Sequence, residues 1–310
     1  MPSSPDSVSD HLRQRLDPSS IVQSGQPLAK KTTLRVGGKA DIYVEPAHEA
    51  DLATVLRVCR DLSLPVTLLG RGSNLLIRDG GIRGVVVCLA QPAFSHIVVE
   101  GERLRCGAGA RLKAVSVEAR RAGLTGLEFL EGIPGSVGGA LRMNAGAMGV
   151  WTFHVVESIR YMTPGGEIEE HPAAEVESRY RCCPILKTHV ALSAVLRGTP
   201  STTAEVAARM SAYSSKRWES QPAQPSAGCV FKNPAAVPAG KLIDELGLKG
   251  TRVGGAVVSD VHGNFIVNEG DATAADVLKL IETVRERIRA ARGIEMETEV
   301  EILGEDLPLS

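Results

Sequence analysis

The chain has 310 residues, too many for one ordinary hydrophobic core, so two or three domains are expected. Its 43% hydrophobic and 23% charged residues suit a folded globular protein, and a net charge of −1 creates no field to gather nucleic acid or an anionic membrane. With aromatics at only 4% there is no series of base-stacking platforms, and no run reaches the roughly 18 apolar residues of a membrane span.

The first residues lack the basic start and apolar run of a secretory signal. The six cysteines (Cys59, Cys88, Cys106, Cys182, Cys183 and Cys229) show no CxxC pair and no zinc spacing. They read as thiols of a cytoplasmic protein, mostly buried in apolar runs.

In chain order, residues 1–28 read as a loose leader with a short helix near 8–16. Ile42–Glu45 reads as a strand, and Glu49–Leu62 carries Leu52, Val55, Leu56 and Cys59 on one helical face. Val66–Leu69 and Val85–Cys88 are short strands, and Leu112–Ala122 is a helix. From 155 to 196 the chain alternates as a hairpin broken by Pro164-Gly165-Gly166. The Gly-Thr-Pro-Ser-Thr-Thr stretch at 198–203 marks a domain boundary, followed by a helix over 204–213 capped by Thr203. The expected domains are therefore 29–197 and 198–304. The second holds strands at 229–231, 256–259 and 265–268, then a helix from Ala274 to about Arg292 with a Thr273/Asp276 capping box. The final strand, Met296–Leu303, places Glu295, Glu297, Glu299 and Glu301 on one face and Met296, Val300 and Ile302 on the other.

Two glycine clusters stand out. Gly70-Arg71-Gly72-Ser73-Asn74-Leu75 follows an apolar strand, and its glycines let backbone amides turn toward an anion. A dinucleotide-binding Rossmann loop would need a glycine where Leu75 stands and a helix where Leu75-Leu76-Ile77 reads as strand, so that fingerprint fails. Spacing alone leaves a phosphate cradle and a plain hairpin turn both open. The second cluster, Gly132-Ile133-Pro134-Gly135-Ser136-Val137-Gly138-Gly139, leads to Asn144-Ala145-Gly146 and makes a stiff, small-residue backbone. It suits a wall against a flat ring or a pyrophosphate, and equally a crowded turn.

Taken in order, Thr33-Leu34-Arg35-Val36-Gly37-Gly38, the two glycine clusters, Gly126-Leu127-Glu128, Tyr180-Arg181, Gly228-Cys229-Val230-Phe231-Lys232-Asn233-Pro234, His262-Gly263-Asn264 and Glu297-Thr298-Glu299-Val300 closely resemble the UDP-N-acetylenolpyruvoylglucosamine reductase family. The resemblance runs over roughly residues 30–304, and the short stretch between Asn233 and His262 is similar to the family's compact subclass. It implies an α+β protein: a two-subdomain FAD-binding fold of the vanillyl-alcohol-oxidase type, then a C-terminal α+β substrate-binding domain. It implies non-covalent FAD, NADPH as co-substrate, a UDP-sugar substrate and a place in peptidoglycan synthesis, hence in cell shape and division. Nothing in it calls for nucleic acid, a membrane, a metal or an obligate protein partner. By resemblance FAD is held by Gly70, Arg71, Gly72, Ser73, Asn74 and Leu75 and by Gly132, Ile133, Pro134, Gly135, Ser136, Gly138 and Gly139, with Arg35, Asn144 and Gly146 helping.

Reducing an enolpyruvyl ether places a hydride on the vinyl carbon and leaves negative charge on its neighbour, spread into the carboxylate. That charge needs a stabiliser, and the carbon needs an acid. The resemblance gives Arg181 the first task, where a guanidinium fork grips a carboxylate in two bonds, although a surface role is the commoner fate of an arginine. It gives Glu299 a part in stabilising or protonating the enol, against a pattern that alone reads as a solvated face. It gives Cys229 the place where the family's proton-donating serine stands; a thiol is mostly protonated at neutral pH and is the stronger acid. Tyr180, Lys216, Arg217, Lys232, Asn233, His262 and Asn264 are expected around the UDP-sugar. The vicinal Cys182-Cys183 pair has no evident role. Rival readings are an oxidase of the same flavin fold, an NAD-linked Rossmann dehydrogenase and a catalytically dead flavin- or UDP-sugar-binding protein.

Overall fold

The computed structural model describes residues 4–235 and 237–308. The chain forms two compact units: residues 1–24, 42–71 and 84–217 make one, and 25–41, 72–83 and 218–310 make the other. The expected cut at 198 falls inside the first unit, which runs on to 217, and two early segments belong to the second.

Two cores build the first unit. One gathers around the helix Glu49–Asp61, whose Leu52, Val55, Leu56 and Cys59 are all buried as their spacing requires, together with Ile42, Val44, Val85 and Val87 from strands. Residues 5–27 are not a loose leader. Pro5–Arg13 is a helix capped by Ser4, and Ile21–Pro27 is a strand. Val8, Leu12, Leu16 and Val22 join the same core, with Leu12 fully buried. A helix this short is unstable alone and forms because its apolar face has somewhere to pack.

The other core lies on a five-stranded sheet, in the order Ile168–Pro172, Val156–Met162, Val190–Arg197, Arg103–Gly107, Ile97–Glu100. All four pairings are antiparallel, and the expected hairpin turns at 163–167 with Met162 opposite Ile168. The helices Leu112–Arg121 and Val137–Arg142 contribute Leu112, Val115, Val137 and Leu141 to this core. The helix expected over 204–213 runs over Thr203–Ser220. Its cap is Thr202, whose hydroxyl accepts from the Glu205 N–H (3.2 Å) while the Glu205 carboxylate accepts from the Thr202 N–H (3.3 Å).

The second unit is a four-stranded sheet, Ser226–Cys229, Phe265–Asn268, Ala256–Val258, Arg252–Val253. The helix Ala274–Arg292 buries Val277, Leu280, Ile281, Val284 and Ile288 in its core, at helical spacing. The expected capping box of Thr273 and Asp276 is present, and the Asp79 carboxylate accepts from the Ala274 and Ala275 N–H groups, both at 2.9 Å. The final strand is shorter than its alternation suggested: Glu301–Leu303 pairs parallel to Leu75–Ile77, and Thr298 forms an isolated antiparallel bridge with Phe231. Met296 and Val300 are still buried and Glu297 exposed, so the pattern reported the faces correctly without reporting the pairing. No described helix is long and apolar enough to cross a membrane.

Leu12→Ala should lower stability by about 2–5 kcal/mol in chemical denaturation, the usual cost of truncating a fully buried leucine. A segment that were only a leader would show no change.

Candidate active site

In the first unit the start of the first glycine cluster meets the second cluster. A Cβ on Gly70 would lie 3.1 Å from the Ser136 hydroxyl, so the loop ends against the cap of the helix Val137–Arg142. The clusters differ in what they offer. In the second cluster the Ile133 and Gly135 N–H groups bond to Leu130 and Ile133 carbonyls, and those of Val137 and Gly138 to Ala110 and Ala108. The Gly139 N–H is taken by the Ser136 hydroxyl at 3.4 Å. With most of these donors used inside the protein, this backbone offers a wall of small residues. In the first cluster, among the described residues, the N–H groups of residues 70–74 donate no hydrogen bond to the chain. The cluster carries no carboxylate, and Leu75–Ile77 follows as strand, so the failed Rossmann reading stands. A run of unused amides fits a diphosphate, and a wall of small residues fits a flat ring; FAD carries both.

Arg181 occupies the tip of a tight turn. Arg179 and Cys182 pair across it, the Arg179 N–H donating to the Cys182 carbonyl at 2.7 Å and the Cys182 N–H back to Arg179 at 3.2 Å. Arg181 has φ +56, a left-handed conformation that costs an ordinary L-residue about 1–2 kcal/mol. Such strain persists where surroundings over-determine it, and it clusters at working sites. The Arg181 guanidinium carbon lies 5.3 Å from the Tyr180 ring centroid and 5.7 Å from that of Trp151, and the two rings meet edge-on at 5.4 Å. Trp151 was not anticipated as a site residue; its only signal is an aromatic in an aromatic-poor chain soon after the second glycine cluster. Gly146, expected at the cofactor, pairs with Trp151 and lies against its ring: a Cβ there would be 2.7 Å from the indole. Asn144, also expected at the cofactor, turns its side chain into the protein, donating to the Arg179 carbonyl and accepting from the Phe153 N–H, each at 3.2 Å.

Arg217 is half-buried and carries its aliphatic stem close to Gly132. Burial pulls its guanidinium below the usual arginine range and the Glu131 carboxylate pushes it back up, so it stays charged. Lys113 binds the same carboxylate at 3.0 Å. Lys216 is exposed.

In the second unit the segments around Cys229 and Glu299 are tied by backbone. The Glu299 N–H donates to the Val230 carbonyl at 2.8 Å, beside Cys229. The Asn74 side-chain amide donates to the Glu299 carbonyl at 3.1 Å, so this asparagine holds the C-terminal segment. Gly228 lies near the Ser73 carbonyl, and Thr33 donates to Gly72 from its N–H (3.2 Å) and its hydroxyl (3.3 Å). Arg35, with φ +60, is exposed, and its N–H donates to the Thr32 hydroxyl at 3.2 Å.

Several residues expected at the UDP-sugar also bond within the protein. Asn264 is buried, its amide donating to the Phe231 carbonyl (2.8 Å) and accepting from the Phe231 N–H (2.9 Å), which fixes the strand carrying Cys229. The Asn233 side-chain Oδ1 accepts from the Ala239 N–H at 3.0 Å, at the start of the helix Ala239–Glu245. Lys232 pairs with exposed Glu297 at 2.9 Å. His262 accepts from the Asn264 N–H on Nδ1 at 3.1 Å; burial, with repulsion from Lys249, lowers its pKa, so the ring is neutral at neutral pH with its proton on Nε2. Among the described residues no cluster of His, Cys, Asp and Glu could hold a metal, and all six cysteines are thiols.

A family model described as an FAD binding domain matches residues 40–171, and one described as the UDP-N-acetylenolpyruvoylglucosamine reductase C-terminal domain matches residues 221–303. The UDP-N-acetylenolpyruvoylglucosamine reductases of Geobacillus thermodenitrificans and Anaeromyxobacter sp. are 44% and 45% identical to the chain, over 91% and 90% of it and 92% and 87% of their own lengths. The crystal structure of the enzyme of that name from Thermus caldophilus superposes with a TM-score of 0.80 at 35% identity, covering 92% of this chain and 100% of the other. With an α+β fold, an FAD binding domain and a C-terminal domain of that description, the chain belongs to the UDP-N-acetylenolpyruvoylglucosamine reductase family.

Proposed function

We propose that the protein is an FAD oxidoreductase that uses NADPH to reduce the enolpyruvyl group of UDP-N-acetylglucosamine enolpyruvate, giving UDP-N-acetylmuramate for peptidoglycan. The observation that carries the reading is the strained Tyr180-Arg181 turn, which presents a permanent cation on an aromatic shelf in a chain of this family. Bound FAD, once reduced by NADPH, supplies the hydride. Arg181 grips the substrate carboxylate and stabilises the charge that spreads into it. Cys229 gives its thiol proton to the carbon next to that carboxylate, and Glu299 supports the protonation. Arg217, half-buried and still charged, suits the UDP diphosphate. Among the residues named with it, Asn264, Asn233 and Lys232 also bond within the protein, which holds their segments in place. We place the reaction in the cytoplasm because NADPH and a UDP-sugar are multiply charged and do not cross a bilayer unaided.

The purified protein should be yellow, and denaturation should release its FAD; a colourless protein that FAD does not reconstitute would overturn the assignment. Arg181→Lys should slow flavin reoxidation by the enolpyruvyl substrate about 10²- to 10³-fold, since lysine keeps the charge and loses the fork, while flavin reduction by NADPH continues. Stopped-flow measurement of the two half-reactions decides, and an equal loss in both would assign Arg181 to folding or flavin binding.

Cys229→Ala should still allow NADPH to bleach the flavin but slow its reoxidation by about 10²- to 10⁴-fold, as expected when a carbon acid is removed. Cys229→Ser should stay active. Wild-type activity should fall at alkaline pH as the thiol ionises, and the serine variant should lack that limb. Near wild-type turnover by Cys229→Ala would transfer the proton to another donor, with Glu299 through water tested first.

A further inference from the structure

We infer that Asn144 is a positioning residue for Arg181, clamping the arginine's turn to the segment that carries Trp151; the inference rests on the reading of Arg181 as the group that grips the substrate carboxylate. Asn144 is 8% exposed and itself left-handed at φ +38, a conformation in which asparagine and glycine are the natural occupants. Its Nδ2 donates to the Arg179 carbonyl, which opens the Arg181 turn, and its Oδ1 accepts from the N–H of Phe153, two residues beyond Trp151, both at 3.2 Å. One acceptor and one donor fix the orientation of the amide. A single side chain therefore joins the two segments whose side chains meet at the guanidinium.

The residues beside Asn144 act in the same sense. The Arg142 carbonyl accepts from the Cys183 N–H at 2.9 Å, tying down the far side of the turn. The Ala145 carbonyl accepts from the N–H of Thr152 (2.9 Å) and from its hydroxyl (2.7 Å), tying down the Trp151 segment. The elbow 142–145 thus holds both sides of a turn that would relax without restraint, because a left-handed arginine is strained. Within this elbow the Asn144 side chain reaches both segments. Its contribution to the reaction is geometric: a misplacement of the guanidinium by an ångström loses the two-bond grip on the carboxylate.

Two variants of the FAD-loaded enzyme test this. Asn144→Gly keeps the left-handed backbone accessible and removes both bonds. Asn144→Asp keeps the acceptor for Phe153 and sets a carboxylate against the Arg179 carbonyl. Each should slow flavin reoxidation by UDP-N-acetylglucosamine enolpyruvate by about 10²-fold, with reduction by NADPH unchanged. In an Arg181→Lys background the same changes should add little further loss, because the pair acts as one unit.

A second readout needs no turnover. The chain has two tryptophans, so Trp218→Phe leaves Trp151 as the only one, read by excitation at the red edge of the indole band. Acrylamide quenching of Trp151 should rise in Asn144→Gly to the level seen in Arg181→Ala, as the cation leaves the ring. Parental reoxidation by a folded Asn144→Gly or Asn144→Asp, full additivity with Arg181→Lys, or parental quenching of Trp151 would each overturn the inference. If the wild-type flavin is not reoxidised by the substrate at all, the proposed function fails by itself, and the quenching measurement alone decides the role of Asn144.

Discussion

An arginine in a left-handed backbone conformation is a strained residue, and much of the first unit serves to hold one. Arg181 carries the strain at the tip of a turn whose two ends are anchored by the elbow after the helix Val137–Arg142. That helix is in turn set by the second glycine cluster, whose Val137 and Gly138 amides bond to residues 110 and 108 and whose Gly135 and Gly139 amides bond within the cluster. The wall and the arginine turn are thus two ends of one short element. A rigid scaffold of this kind makes a fixed cation available without reorganisation when charge develops, which is where electrostatic catalysis gains most.

The second unit solves a different problem, joining residues far apart in sequence. Asn74 reaches Glu299 through its side chain, and the Asn74 carbonyl accepts from the Glu301 N–H at 3.0 Å. Val230 accepts from Glu299, and Asn264 clamps Phe231 from the other direction. The backbone around Cys229 is therefore bonded on both sides, so the thiol sits on a held strand rather than a loose loop. A cysteine here is a stronger acid than serine and an oxidisable one, a combination that couples proton donation to the thiol's own chemistry.

Three asparagines illustrate how differently one residue type is used. Asn74, Asn144 and Asn264 all sit in motifs that resemblance ties to cofactor or substrate, and all three turn their amides to backbone carbonyls. An amide that offers both a donor and an acceptor satisfies buried backbone groups where no regular ladder exists, and leaving such groups unmet would cost free energy. Residues of a ligand-binding motif can thus act by holding the segments that do the binding.

From the sequence by itself came the long helix Ala274–Arg292 with its capping box, the hairpin at 156–172, the strand after the first glycine cluster, and the family, because periodicity, caps, turn residues and ordered motifs are all local. Tertiary structure alone decided the rest. Residues 5–27 became structure because Val8 and Leu12 found a core, which a short amphipathic stretch cannot announce. The helix ran on to Ser220 through a polar stretch that carries no periodic signal. The last strand paired over three residues because its neighbours there are Leu75–Ile77, while Glu299 bonds to Val230 instead. The partners of Asn74, Asn144 and Asn264 likewise depend on which carbonyl lies across the fold, and no local pattern encodes a distance to a segment up to 225 positions away.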